Sequence, residues 1–215
     1  MKKVAINIIS SAKVFAETKL ENLDEKRLVP HMMTRRRLTR NSKVMLFLSD
    51  KCDFTSGKIV YGSCFSELEE TAKIANAVLE NEMLSPTSFQ NSVYNTAPSY
   101  FSLVNKDTDE IITISSGMKT SLDTLKAAAL QALVSGEKVL CICIECINIK
   151  NIEQINKCTK YLESGAAVVI EIAKDSEGAQ EIQNLPIEGL MDSLQDLISV
   201  VNMNEKGIKK VLVEL

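Results

Sequence analysis

LSPTSFQNSVYNTAPSYFSLVNKDTDEIITISSGMKTSLDTLKAAALQALVSG, running from Leu84 to Gly136, is the stretch that decides the fold. It reads as a helix of apolar and amide residues over 86–105, a turn over 107–110 and a β-rich strand over 110–115. A turn of small residues follows, then an Ala- and Leu-rich helix over 117–135 that Gly136 closes. Ser85 or Thr87, around Pro86, opens the first helix, because the N–H that proline lacks is one a helix start leaves unpaired anyway. A strand that ends in a tight turn feeding a helix is a common place for a nucleophile or an anion site.

On the N-terminal side, alternation predicts an opening strand over 3–10. Residues 14–33 are irregular and hold Pro30 and the single histidine, His31. Thr34 can cap a helix running to about Cys52, and KIVYG at 58–62 reads as a strand ended by Gly62. Residues 64–82 repeat apolar positions at Phe65, Leu68, Ile74, Ala75 and Val78, the pattern of an amphipathic helix. On the C-terminal side, 138–147 is apolar on both faces and predicts a central strand covered on both sides. A helix or extended loop over 151–163, a buried strand over 165–173, a helix over 186–202 and a strand over 208–214 complete the chain. Strands and helices alternate without a long linker, so residues 1–215 are expected to form one α/β domain.

Composition narrows the function classes. The chain has 215 residues, 45% of them hydrophobic, and a net charge of −3, so the molecule as a whole does not attract nucleic acid. No apolar run reaches the roughly 20 residues of a membrane span. Asn7, Ser10 and Ser11 interrupt the apolar patch behind Lys2 and Lys3, which suits a first strand better than a secretion signal. Of six cysteines, Cys141, Cys143 and Cys146 share one β-like run, where neighbours alternate faces and pair poorly. Reduced, buried thiols and a cytoplasmic location are the simpler expectation.

The motifs with chemistry are few. Neither G-x-G-x-x-G nor G-x-x-x-x-G-K-[ST] occurs, and no cofactor is expected. The cysteine run lacks the turn-borne pairs and fourth ligand of a zinc site, so no metal is expected. Any Ser-His or Cys-His arrangement would have to use His31, which lies in a loop-like stretch. Ser115 and Ser116, beside Gly117, stand where a nucleophile would, but outside a G-x-S-x-G pattern and with no base in sequence reach. Arg35, Arg36, Arg37, Arg40 and Lys43 put five positive charges within nine residues of an acidic chain. They read as a solvated helix face or as a docking patch for an acidic partner. Nucleic acid is a weaker third choice, since no aromatic residues interleave with them.

The order of these segments resembles the N-terminal half of β-ketoacyl synthases, the condensing enzymes of the thiolase-like fold, and most closely their stand-alone N-terminal-like domains. TRRRLTRNSKVMLFL resembles the Arg-rich helix of that family, and YGSCFSELEETAKIA its glycine turn and following helix. SPTSFQNSVYNTAPSYFSL, with Ser85, Pro86, Asn91, Ser92 and Asn95, is the most specific match. IITISSGMKTSLDTLKAAALQALVSGEKVL resembles the strand, nucleophile turn and buried helix. The resemblance covers about residues 1–175. It implies a thiolase-like half domain with a mixed, mostly parallel five-stranded sheet and helices on both faces.

The departures shape the functional expectation. Where the synthases carry an acyl-accepting cysteine, this chain offers Ser115 or Met118, depending on whether the strand or the helix is aligned, and no cysteine falls between Cys64 and Cys141. The family's catalytic histidines belong to a C-terminal half that this chain does not contain. The resemblance therefore implies the fold without condensation, in fatty-acid, polyketide or aryl-polyene type assembly. Such a chain would bind a synthase, an acyl carrier protein or an acyl chain, with a serine acyltransferase or residual synthase activity as the alternative. A lone half also implies an uncovered apolar face, hence a homodimer or a heteromer with a full-length ketoacyl synthase. Strand 110–115 and helix 86–105 would lie near that interface.

Overall fold

The computed structural model describes residues 2–150, 152 and 159–215. Its strands are β1 (Lys3–Ala16), β2 (Lys58–Gly62), β3 (Ile111–Ile114), β4 (Val139–Cys146), β5 (Glu163–Ile172), β6 (Gln180–Glu181) and β7 (Lys210–Glu214). They form one sheet in the order β3-β2-β4-β5-β1-β7-β6. The β2–β3, β2–β4 and β6–β7 ladders are parallel, whereas β4–β5, β1–β5 and β1–β7 are antiparallel. The expected five strands become seven, and parallel ladders hold no majority. The two extra strands come from the tail, which returns beside β1, where β7 pairs with its first half and carries the two-residue β6 beyond it. The antiparallel ladders of β5 with β4 and β1 remove the parallel majority.

The helices are α1 (Glu25–Leu28), α2 (Met32–Arg37), α3 (Arg40–Lys51), α4 (Leu68–Leu79), α5 (Pro86–Asn91), α6 (Thr96–Asn105), α7 (Thr120–Ser135) and α8 (Asp192–Glu205). All eight residues of β4 are buried, as a strand apolar on both faces requires. Val139, Cys141 and Cys143 pack with Leu125, Ala128, Ala129 and Ala132 of α7 and with Leu194 and Leu197 of α8. Leu140, Ile142, Ile144 and Cys146 belong to the opposite core, with Val44, Met45 and Leu48 of α3 and Phe101 of α6. The thiols thus alternate between the two layers and are free.

Small residues let α7 come close. A Cβ at Gly62 would stand 2.2 Å from Thr124 Oγ1 and 2.7 Å from Cys143 Sγ, so glycine is the residue that fits. Gly136 takes φ 71° and ends α7 with its N–H on Ala132 O.

Several boundaries differ from expectation. β1 continues past Ser10 and Ser11 because both hydroxyls find partners: Ser10 donates to Cys52 O at 2.8 Å and Ser11 accepts from Asn204 at 2.7 Å. The single helix expected from Thr34 breaks at Leu38, whose ψ of 129° is extended, and restarts under Thr39, which accepts from the Ser42 amide. The helix expected over 86–105 breaks at Ser92–Asn95. Pro98, in the first turn of α6, could not sit deeper in a continuous helix without losing a backbone bond and crowding the carbonyl of residue 94. Residues 64–67 form a turn rather than helix, and the last helix begins at Asp192, after Pro186. The helix or loop expected over 151–163 lies largely outside the described residues, as does Cys158.

Candidate functional site

β3 lies at the edge of the sheet and delivers the chain to Ser115, Ser116, Gly117, Met118 and Lys119, all exposed. Gly117 takes φ 58°, a left-handed conformation that glycine adopts freely, and opens a 3₁₀ turn that leads into α7. Thr120 fastens the turn: it accepts from the Ser116 amide at 3.0 Å and donates to Gly117 O at 2.7 Å. Ser115 Oγ donates to Tyr94 Oη at 3.3 Å, and Tyr94 donates onward to Cys64 O at 3.0 Å. The serine is therefore coupled to a phenol hydroxyl whose own proton is given to a backbone carbonyl, and not to an imidazole or carboxylate. His31 pairs with Thr34 Oγ1 at 3.2 Å and lines a groove with Met33, Arg37 and Tyr100, away from the turn.

Beside the turn opens an apolar cavity of about 380 Å³, a size used for small ligands. Met118 forms one wall, Phe65 and Leu68 a second, Ile147 and Ile149 a third, and Leu190 and Met191 a fourth. The sequence reading missed this cavity, because its walls come from four separate loops. Behind the Phe65 wall sits Glu145, which continues the Cys141–Cys143 face of β4 and is 1% exposed. Its carboxylate accepts from Ser63 Oγ at 3.0 Å, Cys64 N at 2.5 Å, Phe65 N at 3.2 Å and Ser193 Oγ at 3.0 Å. Burial raises the Glu145 carboxyl to about 6, and those four donors hold it from rising further. Glu67, at the end of the same turn, is pushed by burial to about 8 against the pull of its Thr39 hydrogen bond. The only sequence signal for this cluster was an acid in an otherwise apolar strand.

The basic cluster separates into unlike groups. Arg40 binds Glu163 through two nitrogens, one bond being 2.9 Å, and also donates to Leu20 O. Lys43 pairs with Glu25 at 3.0 Å, and Arg35 donates to the carbonyls of Val29 and Pro30. Arg36 and Arg37 point outward beside a polar groove shared with Ser85, Thr87 and Ser88. Arg40 thus corrects the picture of one continuous charged helix face: it is an internal brace across the helix break.

The motif residues build the second break. Ser85 accepts from the Ser88 amide and Pro86 starts α5. Buried Asn91 donates to Arg37 O and accepts from Tyr100, Ser92 donates to Phe89 O, and Asn95 precedes α6. The break leaves Phe89 (66%), Val93 and Tyr94 exposed near the end of β3, and Leu130 and Val134 (78%) expose the outer side of α7. Among the described residues, no three His, Cys, Asp or Glu side chains converge to hold a metal. Burial lifts the Cys52 and Cys143 thiols to about 12 and those of Cys141 and Cys146 well above their ordinary value, so these sulfurs are poor nucleophiles. No helix among the described residues is long and apolar enough to cross a membrane.

Comparison with solved structures places this architecture. A ketosynthase (ApeO) in complex with its chain length factor (ApeC) from Xenorhabdus doucetiae is similar at TM-score 0.65 and 22% identity, covering 79% of this chain and 80% of that one. The ishigamide ketosynthase/chain length factor is similar at TM-score 0.63 and 12% identity, over 80% of this chain and 63% of that one. AntDE:AntF, a type II polyketide acyl carrier protein in complex with its ketosynthase bound to the hexaketide, is similar at TM-score 0.56 and 12% identity, over 96% and 83%. These likenesses establish the thiolase-like fold. No curated protein matches the chain. The family model described as "Beta-ketoacyl synthase, N-terminal domain" matches residues 12–202. The chain belongs to the family of β-ketoacyl synthase N-terminal domains.

Proposed function

We propose that this chain is a non-condensing, ketoacyl-synthase-like partner in cytoplasmic polyketide, fatty-acid or aryl-polyene type synthesis, working as a heteromer with a full-length ketosynthase. The observation that carries the reading is the turn after β3. Its candidates for the acyl-accepting position are Ser115 and Met118, and the Ser115 hydroxyl is engaged by Tyr94 rather than by a base. The open edge of β3 and the exposed apolar residues of α5–α6 and the outer α7 face are suited to a protein partner. Two of the similar structures are ketosynthase–chain length factor proteins, which supports a ketosynthase as the partner. The apolar cavity is suited to an acyl chain handed over within such a complex. Arg36 and Arg37 are the docking residues for an acidic acyl carrier protein, with Arg35 and Lys43 behind them and Arg40 holding the helix break.

The competing reading is acyl transfer by Ser115 or Ser116. Incubation with an acyl-loaded carrier protein, followed by intact mass, separates the two. The partner reading predicts no covalent acyl group on this chain; an adduct that disappears in the Ser115→Ala, Ser116→Ala double variant would replace it with the enzyme reading.

A further inference from the structure

Glu145 does something that neither the partner role nor the family match accounts for. It is a fully buried carboxylate without a cationic partner among its hydrogen bonds, and it joins three elements where the cavity is formed. From β4 it reaches the turn after β2, taking the amides of Cys64 and Phe65 and the hydroxyl of Ser63. It also reaches Ser193 in the first turn of α8, two residues past Met191 and next to Asp192, both of which line the cavity. Phe65 contributes its ring to the cavity and its amide to the carboxylate, so the side of the cavity it forms is set by where Glu145 holds it. Ser66, the next residue, sits at φ 51°, a conformation that a non-glycine residue keeps only when its surroundings impose it.

We propose that Glu145 is the positioning residue of the apolar cavity, clamping the Phe65 wall against the start of α8, so that occupancy of the cavity follows the protonation of this one carboxylate. The inference rests on the reading of the cavity as a binding site. Ionised, the group offers acceptors to two amides and two hydroxyls together. Protonated, one oxygen becomes a donor; the serine hydroxyls can turn to accept, but an amide cannot, and Phe65 N, at 3.2 Å the longer of the two amide contacts, is the one released. The titratable groups around it are Tyr61 on β2, Cys64 and Glu67 on the turn and Cys143 and Cys146 on β4, with Asp196 of α8 beyond Cys143 and Asp192 lining the cavity at the start of α8. The three thiols and the phenol stay neutral through the relevant range and burial sets the Glu67 carboxyl higher, at about 8, so Glu145 is the buried group among them that changes charge near pH 6.

The test uses the full chain and the uncharged fluorophore N-phenyl-1-naphthylamine as an apolar probe, titrated between about pH 5 and 8. Wild type is expected to bind about tenfold more weakly at pH 5 than at pH 7, since only the clamped fraction is competent. Glu145→Gln, which turns an amide donor toward the backbone amides, is expected to bind weakly at every pH with a flat profile. Ser193→Ala, a milder change that serves if Glu145→Gln does not fold, removes one donor to the carboxylate and should move the midpoint to higher pH. Met118→Trp, which fills the cavity from its exposed wall, should abolish binding. A wild-type pH profile retained in Glu145→Gln and in Ser193→Ala, with binding lost in Met118→Trp, overturns the clamp and leaves the cavity standing. Undiminished binding in Met118→Trp overturns the cavity reading and the clamp with it.

Discussion

Replacing Arg40 with alanine tests whether the basic run of this sequence is a surface feature or part of the frame. Glu163 opens β5 at 2% exposure; its carboxylate takes two bonds from Arg40 and one from the Leu20 amide at 2.8 Å. Removing the guanidinium leaves a buried charge with one neutral donor, and breaking a buried pair from one side costs about 3–5 kcal/mol. For a chain of this size each 1 kcal/mol lowers Tm by about 2–4 °C, so Arg40→Ala should melt roughly 10 °C below wild type. Combining Arg40→Met with Glu163→Leu removes both charges and should recover most of the loss, but not the bonds to Leu20. Urea unfolding of the two variants gives the comparison. An Arg40→Ala protein with an unchanged midpoint and selectively lost carrier binding would refute the reasoning and return Arg40 to the docking patch.

Other outcomes follow from the same structure. Arg36→Glu with Arg37→Glu should weaken carrier-protein binding while leaving Tm within about 1 °C, because exposed charges contribute little to stability; surface plasmon resonance and calorimetry report the two effects separately. Burial raises the Glu67 carboxyl from 4.5 to about 8, so the folded chain keeps a proton that the unfolded chain releases, and stability falls as pH climbs between those values. Glu67→Gln should match wild type near pH 5 and exceed it by about 3–5 kcal/mol near pH 8.5 in urea titrations; equal pH slopes would contradict this. Gly62→Ala drives a methyl into Thr124 and Cys143 and should cost about 1–3 kcal/mol, partly recovered by adding Thr124→Ser, which takes away no oxygen, and more fully by Thr124→Ala.

The elements most legible in the sequence were those whose pattern is set by burial. β4 reads as covered on both faces because it is, and β2 falls on the residues its pattern marks, ended at a glycine that contact with α7 requires. Helix breaks were harder. Thr34 and Thr39 are both acceptable caps, and what favours Thr39 is tertiary: its hydroxyl also donates to Glu67. Pro98 lies within the single helix read over 86–105, because Pro86 offers an equally good helix start twelve residues earlier. The turn at 115–119 falls between a strand and a helix as its sequence suggests, since a strand, small residues and a helix follow one another locally. The cavity and the Glu145 cluster were not legible, because their parts come from residues 63–65, 118, 147–149 and 190–193, brought together only by the sheet order.

The central claim is association with a ketosynthase, and the mass of the purified chain in solution, alone and mixed with a full-length ketosynthase from the same genome, tests it most directly. The account predicts a stable heteromer in which the exposed residues around Phe89 and the edge of β3 become protected from hydrogen exchange. A monomer that remains a monomer in the mixture, with the edge of β3 still exchanging freely, would contradict it.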